Sequence, residues 1–172
     1  MIDMAAFVGE LFRARWRPLH GDDWDDSVTL RNPGVYLLAY GGKSLTAQRV
    51  QVDDVYYVGM SNSRGGVRAR LKQFKQALER GSSHSAGDYC FKQNGSRPFK
   101  SIKTRKKFYF ATWCIDLPRD IDLTATNLKQ LGHVACLEYY AIARVKAKGS
   151  RRAVPPLNRT AGGEFGSLKL EK

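Results

Sequence analysis

Cysteine and histidine are scarce in this chain of 172 residues, with three of each. Cys90, Cys114 and Cys136 are odd in number, widely spaced and without any Cys-x-x-Cys pair. They read as reduced, buried thiols of a cytoplasmic protein and not as a disulfide framework. His20, His84 and His133 lack zinc-ligand spacing, so no structural zinc site is expected. Long apolar runs are missing too: nothing approaches the ~18 uncharged apolar residues of a membrane span. The short apolar run near the start is broken by Asp3 and Glu10, which excludes a signal peptide.

Acidic residues are in the minority, 16 against 29 Lys and Arg, leaving a net charge of +13. The excess is local, with −2 over residues 1–58, +11 over 59–115 and +4 over 116–172. A role in solubility alone does not require such asymmetry, whereas a polyanionic partner does, so nucleic acid is the expected ligand. The length and a hydrophobic content of 42% fit one domain with a real core.

Residues 3–15 carry Met4, Phe7, Val8, Leu11 and Phe12 at helical spacing behind Asp3 as a possible N-cap, which predicts an amphipathic helix covering the core. The run Asp22, Asp23, Asp25, Asp26 between Pro18 and Pro33 reads as a solvated loop. Gly34 to Tyr40 alternates, with Val35, Leu37 and Ala39 on one face and Tyr36, Leu38 and Tyr40 on the other. Val55 to Met60 is a second strand, and the intervening residues 41–54 are too many for a tight hairpin. Val67 to Glu79 reads as a helix closed by Gly81, burying Val67, Leu71, Phe74 and Leu78, with Arg70 rooted beside that stripe.

Residues 81–106 are read as a basic, weakly patterned excursion, with Lys92, Arg97, Lys100, Lys103, Arg105 and Lys106 among Tyr89, Phe91 and Phe99. Cations interleaved with aromatics suit phosphates and bases, although a solvated loop has the same composition. Lys107 to Ile115 is apolar on both faces, as a central strand would be. From about Thr126 to Lys148 runs the clearest helix, with Leu131, Val134, Ile142 and Val145 in a stripe and Glu138 in its middle. A carboxylate there needs a partner, either a core arginine such as Arg70 or a divalent cation.

Gly34-Val35-Tyr36, Tyr57-Val58-Gly59, Arg70 in the next helix, Glu138 in a later helix and Asn158 after prolines occur in one order. That order resembles the GIY-YIG nuclease superfamily over residues 33–160, with Val where the family name has Ile. The resemblance implies an α/β (α+β) fold: a three-stranded antiparallel sheet flanked by helices. It implies a helix and acidic loop at 1–33, a nuclease domain at 34–160 with its basic insertion at about 81–106, and a flexible tail at 161–172. The implied activity is metal-dependent hydrolysis of phosphodiester bonds. Glu138 would be the single protein ligand of Mg2+ or Mn2+, Tyr36 the general base, and Tyr57 a group that positions water and phosphate. Arg70 would neutralise the transition state, and Asn158 would steady the site.

Some members carry a histidine one turn after the helix arginine, where this chain has Phe74. His84 in the next segment either contacts substrate or is a plain exposed histidine. Contacts to nucleic acid are assigned to Arg64, Arg68, Lys72, His84, Lys92, Arg97, Lys100, Lys103 and Arg105. The expected substrate is double-stranded DNA. A non-catalytic binding module and an RNA-directed nuclease or toxin use the same residues, and monomer and homodimer both remain open.

Overall fold

A computed structural model describes residues 4–20, 24, 27–93, 95–96, 107–117, 124–147 and 158. The helices are α1 (Met4–Arg13), α2 (Gly66–Arg80), α3 (Ser85–Gln93) and α4 (Ala125–Ala147). The strands are β1 (Arg17–Pro18), β2 (Gly34–Gly41), β3 (Val55–Ser61) and β4 (Lys107–Cys114), and short 3-10 turns occupy Thr29–Arg31 and Val52–Asp54. The class is mixed α+β. The sheet has four strands, not three, in the order β1-β4-β2-β3, with every pairing antiparallel. The added strand is only two residues long and ends in Pro18, which has no N–H to donate to a ladder, so it sits at an edge.

The alternation in β2 sorts its side chains as anticipated. Val35, Leu37 and Ala39 join Tyr109 and Ala111 of β4 beneath α1 and α4, through Val8, Leu11, Phe12, Val134, Leu137, Ala141 and Val145. Tyr36 and Leu38 join Phe108 and Phe110 beneath α2 and α3, through Val67, Leu71, Phe74, Leu78, Ala86 and Cys90. The sheet is therefore the middle of three layers, and β2 and β4 are hydrophobic on both faces because both faces are covered. The other edge strand, β3, lies between α2 on one side and α4 on the other.

α2 stops where Gly81 adopts φ 64, a left-handed conformation that suits glycine, and the Gly81 N–H donates to the Ala77 carbonyl. The segment after it is not a loop throughout, since α3 forms across Ser85–Gln93. Two thiols are shielded, Cys90 buried and Cys114 half-buried, but Cys136 is exposed on the outer side of α4. The Asp3 cap, the aspartates at 22, 23, 25 and 26, residues 94 and 97–106 of the basic insertion and the 161–172 tail lie outside the described residues. Trp24 within the acidic run is buried, with its ring edge-on to Phe110 at 5.4 Å. Among the described residues no helix is long and apolar enough to cross a membrane.

Candidate active site

Strand register decides what Tyr36 and Tyr57 can reach. Tyr36 stands opposite Gly59 and Leu38 stands opposite Tyr57, so the two tyrosines are diagonal neighbours on the α2 face. Their ring centroids are 5.9 Å apart. The glycine opposite Tyr36 leaves room for both rings. A methyl group at Gly59 would lie 2.5 Å from the Tyr57 ring, 2.6 Å from Tyr36 Cζ and 2.7 Å from Tyr36 Oη.

His84 completes the aromatic cluster. It is buried, with 3% of its surface exposed, so it is not the plain exposed histidine allowed above. Its Nε2 shares a 3.0 Å hydrogen bond with Tyr36 Oη. Its ring stands edge-on to Tyr57 at 5.5 Å and to Phe74 at 5.2 Å. Phe74, one turn after Arg70, thus supplies the surface on which a histidine from α3's start is packed. Ser83, just before it, adopts φ 71, a backbone state that non-glycine residues rarely occupy and that turns the chain toward Tyr36.

Arg70 is half-buried on α2 and its Nη1 donates to Gln73 Oε1 at 2.7 Å, which restrains the guanidinium without neutralising it. Its charge is felt by four groups from four separate stretches of chain: Tyr36, Tyr57, His84 and Glu138. Burial, then Tyr57, pushes the Tyr36 hydroxyl well above the ordinary tyrosine range, while Arg70 pulls it down. Burial and the Glu138 charge raise Tyr57, against a hydrogen bond from Tyr36 and the charge of Arg70. Burial and Arg70 lower the His84 imidazole to about 4, so it is neutral at pH 7.

Glu138 is half-buried, and burial raises its carboxyl above the usual range while Arg70 opposes the rise. Its position corrects the expectation from the helix pattern. The fully buried stripe of α4 is Val134, Leu137, Ala141 and Val145, and Leu131 and Ile142 are only half-buried. Small Ala141 belongs to that stripe because it lets α4 approach the sheet, and this rotates Glu138 to the stripe's margin. Among the described residues Glu138 makes no hydrogen bond or ion pair, and Arg70 reaches it only through space. A half-buried carboxylate facing an arginine, two hydroxyls and solvent has the donor chemistry for a divalent cation that keeps most of its waters. Among the described residues no three His, Cys, Asp or Glu side chains gather to hold a metal by themselves.

Asn158 lies against the edge strand. Its Nδ2 donates to the Val58 carbonyl at 2.7 Å and its Oδ1 accepts the Val58 N–H at 2.8 Å. The amide thereby replaces a strand partner for one residue of β3, directly after Tyr57. Among the described residues its hydrogen bonds go to backbone alone.

The outer cations divide. Arg64 and Lys72 are exposed around the start of α2 and Arg68 is half-buried there. Lys92 is committed to Asp88 one turn earlier on α3, at 2.7 Å. Arg97, Lys100, Lys103 and Arg105 lie outside the described residues. A cavity of about 260 Å³ lies elsewhere, on the α1 and α4 side among Phe7, Trp113, Ile115, His133 and Leu137, and shares no residue with the cluster.

Two partners in this cluster were not legible in the sequence: the His84–Tyr36 bond and the Gln73 restraint on Arg70. Asp88 at the start of a segment carrying Ala86 and Cys90 four apart was the available sign that a helix begins beside His84. Comparison with protein-family models, with curated proteins and with solved structures returns no match.

Proposed function

We propose that this chain is a divalent-metal-dependent endonuclease that hydrolyses phosphodiester bonds of DNA, with Mg2+ or Mn2+ held by Glu138. The observation that carries this reading is the convergence on Arg70 of Tyr36, Tyr57, His84 and Glu138, contributed by β2, β3, the start of α3 and α4. Four isolated structural residues have no reason to share one arginine, whereas phosphoryl transfer depends on positioning and on fixed positive charge. The resemblance to the GIY-YIG superfamily supports the same assignment.

When bound, the metal supplies a Lewis acid for a phosphate oxygen and a more acidic water. Glu138 gives it one carboxylate, leaving the other positions for water and substrate. Arg70 adds a fixed cation for the phosphate and, restrained by Gln73, stays aimed at the cluster. Tyr57 presents its hydroxyl beside Tyr36 to hold the attacking water.

Tyr36 is the general base in this reading, and its environment sets when it acts. In the free protein burial, Tyr57 and Glu138 keep its proton on. Glu138 neutralised by a bound cation would no longer hold that proton on, so Tyr36 would release it to solvent, and become able to take one from the attacking water, only in the loaded site. Asn158 keeps Tyr57 in register through Val58. Arg64 just before α2, and Arg68 and Lys72 on its first two turns, serve as contacts for the phosphate backbone.

The test is to incubate the chain with supercoiled plasmid, linear duplex and single-stranded RNA in Mg2+ or Mn2+. Cutting of DNA is the expected result. Cutting of RNA alone transfers the assignment to an RNA nuclease, and binding at low salt with no cutting in either metal leaves only a binding module.

A further inference from the structure

His84 immediately precedes α3, and its carbonyl accepts the Asp88 N–H at 2.8 Å, the first hydrogen bond of that helix. Its side chain caps the same end, because the Gly87 N–H donates to Nδ1 at 3.4 Å. A backbone N–H only donates, so Nδ1 must present its lone pair. A neutral imidazole has one proton, and that proton is left on Nε2. Nε2 is the atom 3.0 Å from Tyr36 Oη. The hydrogen bond between the two side chains therefore runs from His84 to Tyr36.

We propose that His84 is a positioning residue whose capping of α3 locks the Nε2–H tautomer, making it a fixed hydrogen-bond donor to the Tyr36 oxygen and not an acceptor of the Tyr36 proton. A histidine beside a tyrosine is ordinarily read as the base that takes the phenolic proton. Here the lone pair that such a base needs is turned away and occupied by Gly87. With one lone pair engaged by His84, Tyr36 is left to direct its own O–H toward Tyr57, whose ring is its neighbour at 5.9 Å. The chain of donors then has one direction, from Gly87 to His84 to Tyr36 to Tyr57. Any negative charge that develops on the Tyr36 oxygen meets an N–H already in place, at no cost in reorientation. Burial keeps the imidazole neutral, and the positive end of α3 disfavours a second proton on it.

The tautomer assignment is independent of activity, and its catalytic consequence rests on the nuclease reading. Long-range proton–nitrogen correlation on the 15N-labelled full chain at neutral pH distinguishes the two neutral tautomers and the imidazolium. The expected spectrum has His84 neutral with Nε2 protonated, and it stays so in Tyr36→Phe, because Gly87 and not Tyr36 sets the tautomer. Protonation at Nδ1, or an imidazolium, overturns the proposal whether or not the chain cuts DNA.

Two substitutions then separate the two ends of the ring. His84→Gln keeps a donor at the reach of Nε2, and His84→Asn keeps an acceptor for the Gly87 N–H but nothing that reaches Tyr36. Plasmid cleavage by His84→Gln is expected within about tenfold of wild type, and by His84→Asn to fall about 100-fold. Equal cleavage by the two variants overturns the donor role even where the tautomer is the expected one. Absence of cleavage by the wild type itself removes the nuclease reading and leaves the spectrum to decide the tautomer.

Discussion

Acid sensitivity is where the buried histidine has its largest calculable effect. His84 falls from an ordinary value of 6.5 to about 4 on folding, through burial first and Arg70 second. Between those values the unfolded chain binds a proton that the folded chain refuses. The stability linked to His84 is therefore fully present above pH 6.5 and is lost as the pH falls toward 4. A gap of this width corresponds to about 3 kcal/mol, and because His84 is only 3% exposed, solvent does little to screen it. That is a large fraction of the ~5–15 kcal/mol of a typical domain. Urea unfolding at intervals from about pH 7.5 to about pH 4 on wild type and His84→Gln isolates it, since carboxylates common to both cancel in the difference. Loss of the α3 cap lowers the variant at every pH, whereas the histidine changes the slope. Wild type is expected to lose about 3 kcal/mol more than the variant across the window. Parallel curves, or a variant that loses more, would show that His84 is not held neutral by its surroundings.

Three further outcomes are expected. Asn158→Ala removes two hydrogen bonds of 2.7 and 2.8 Å from Val58, which costs about 1–3 kcal/mol; amide exchange at Val58 should accelerate, and unchanged protection there rules out the clamp. Gly59→Ala places a methyl within 2.7 Å of Tyr36 Oη and closer still to the Tyr57 ring, so a loss of about 1–3 kcal/mol with shifted resonances for both tyrosines is expected, and a variant of native stability and spectrum refutes the packing described. Glu138→Gln should melt higher than wild type at pH 7 in the presence of EDTA. The folded state raises this carboxyl, so charged Glu138 opposes folding at neutral pH and the penalty fades as the pH falls through the raised value; an equal or lower melting temperature contradicts that sign.

The parts of the fold visible in the sequence were those with a period. Gly34 to Tyr40 alternates because its two faces meet different helices, and Phe108 to Ala111 is apolar on both faces because both are buried. The end of α2 followed from Gly81. Two residues ending in proline carry no period, so β1 was invisible. α3 was read as loop because Ser85 and Gly87 are poor helix formers and its buried face consists of small residues: Ala86, Gly87 and Cys90. Glu138 was legible as a carboxylate beside an apolar stripe, but its place at the margin was not, since Ala141 gives a weak hydrophobic signal and yet packs fully. Contacts across 48 residues, as between Tyr36 and His84, or 100, as between Val58 and Asn158, depend on how layers stack around β3 and leave no local trace.

The measurement that bears most directly on the proposed nuclease is cleavage of supercoiled plasmid in Mg2+ by wild type and by Glu138→Gln. The variant keeps the shape of the side chain and removes only the charge that would hold the metal, and circular dichroism with a melting curve establishes that it is folded. Cutting by wild type, dependent on the metal and abolished by EDTA, together with its loss in folded Glu138→Gln, is the predicted result. Undiminished cutting by that variant would contradict Glu138 as the metal ligand and with it the mechanism built around Arg70.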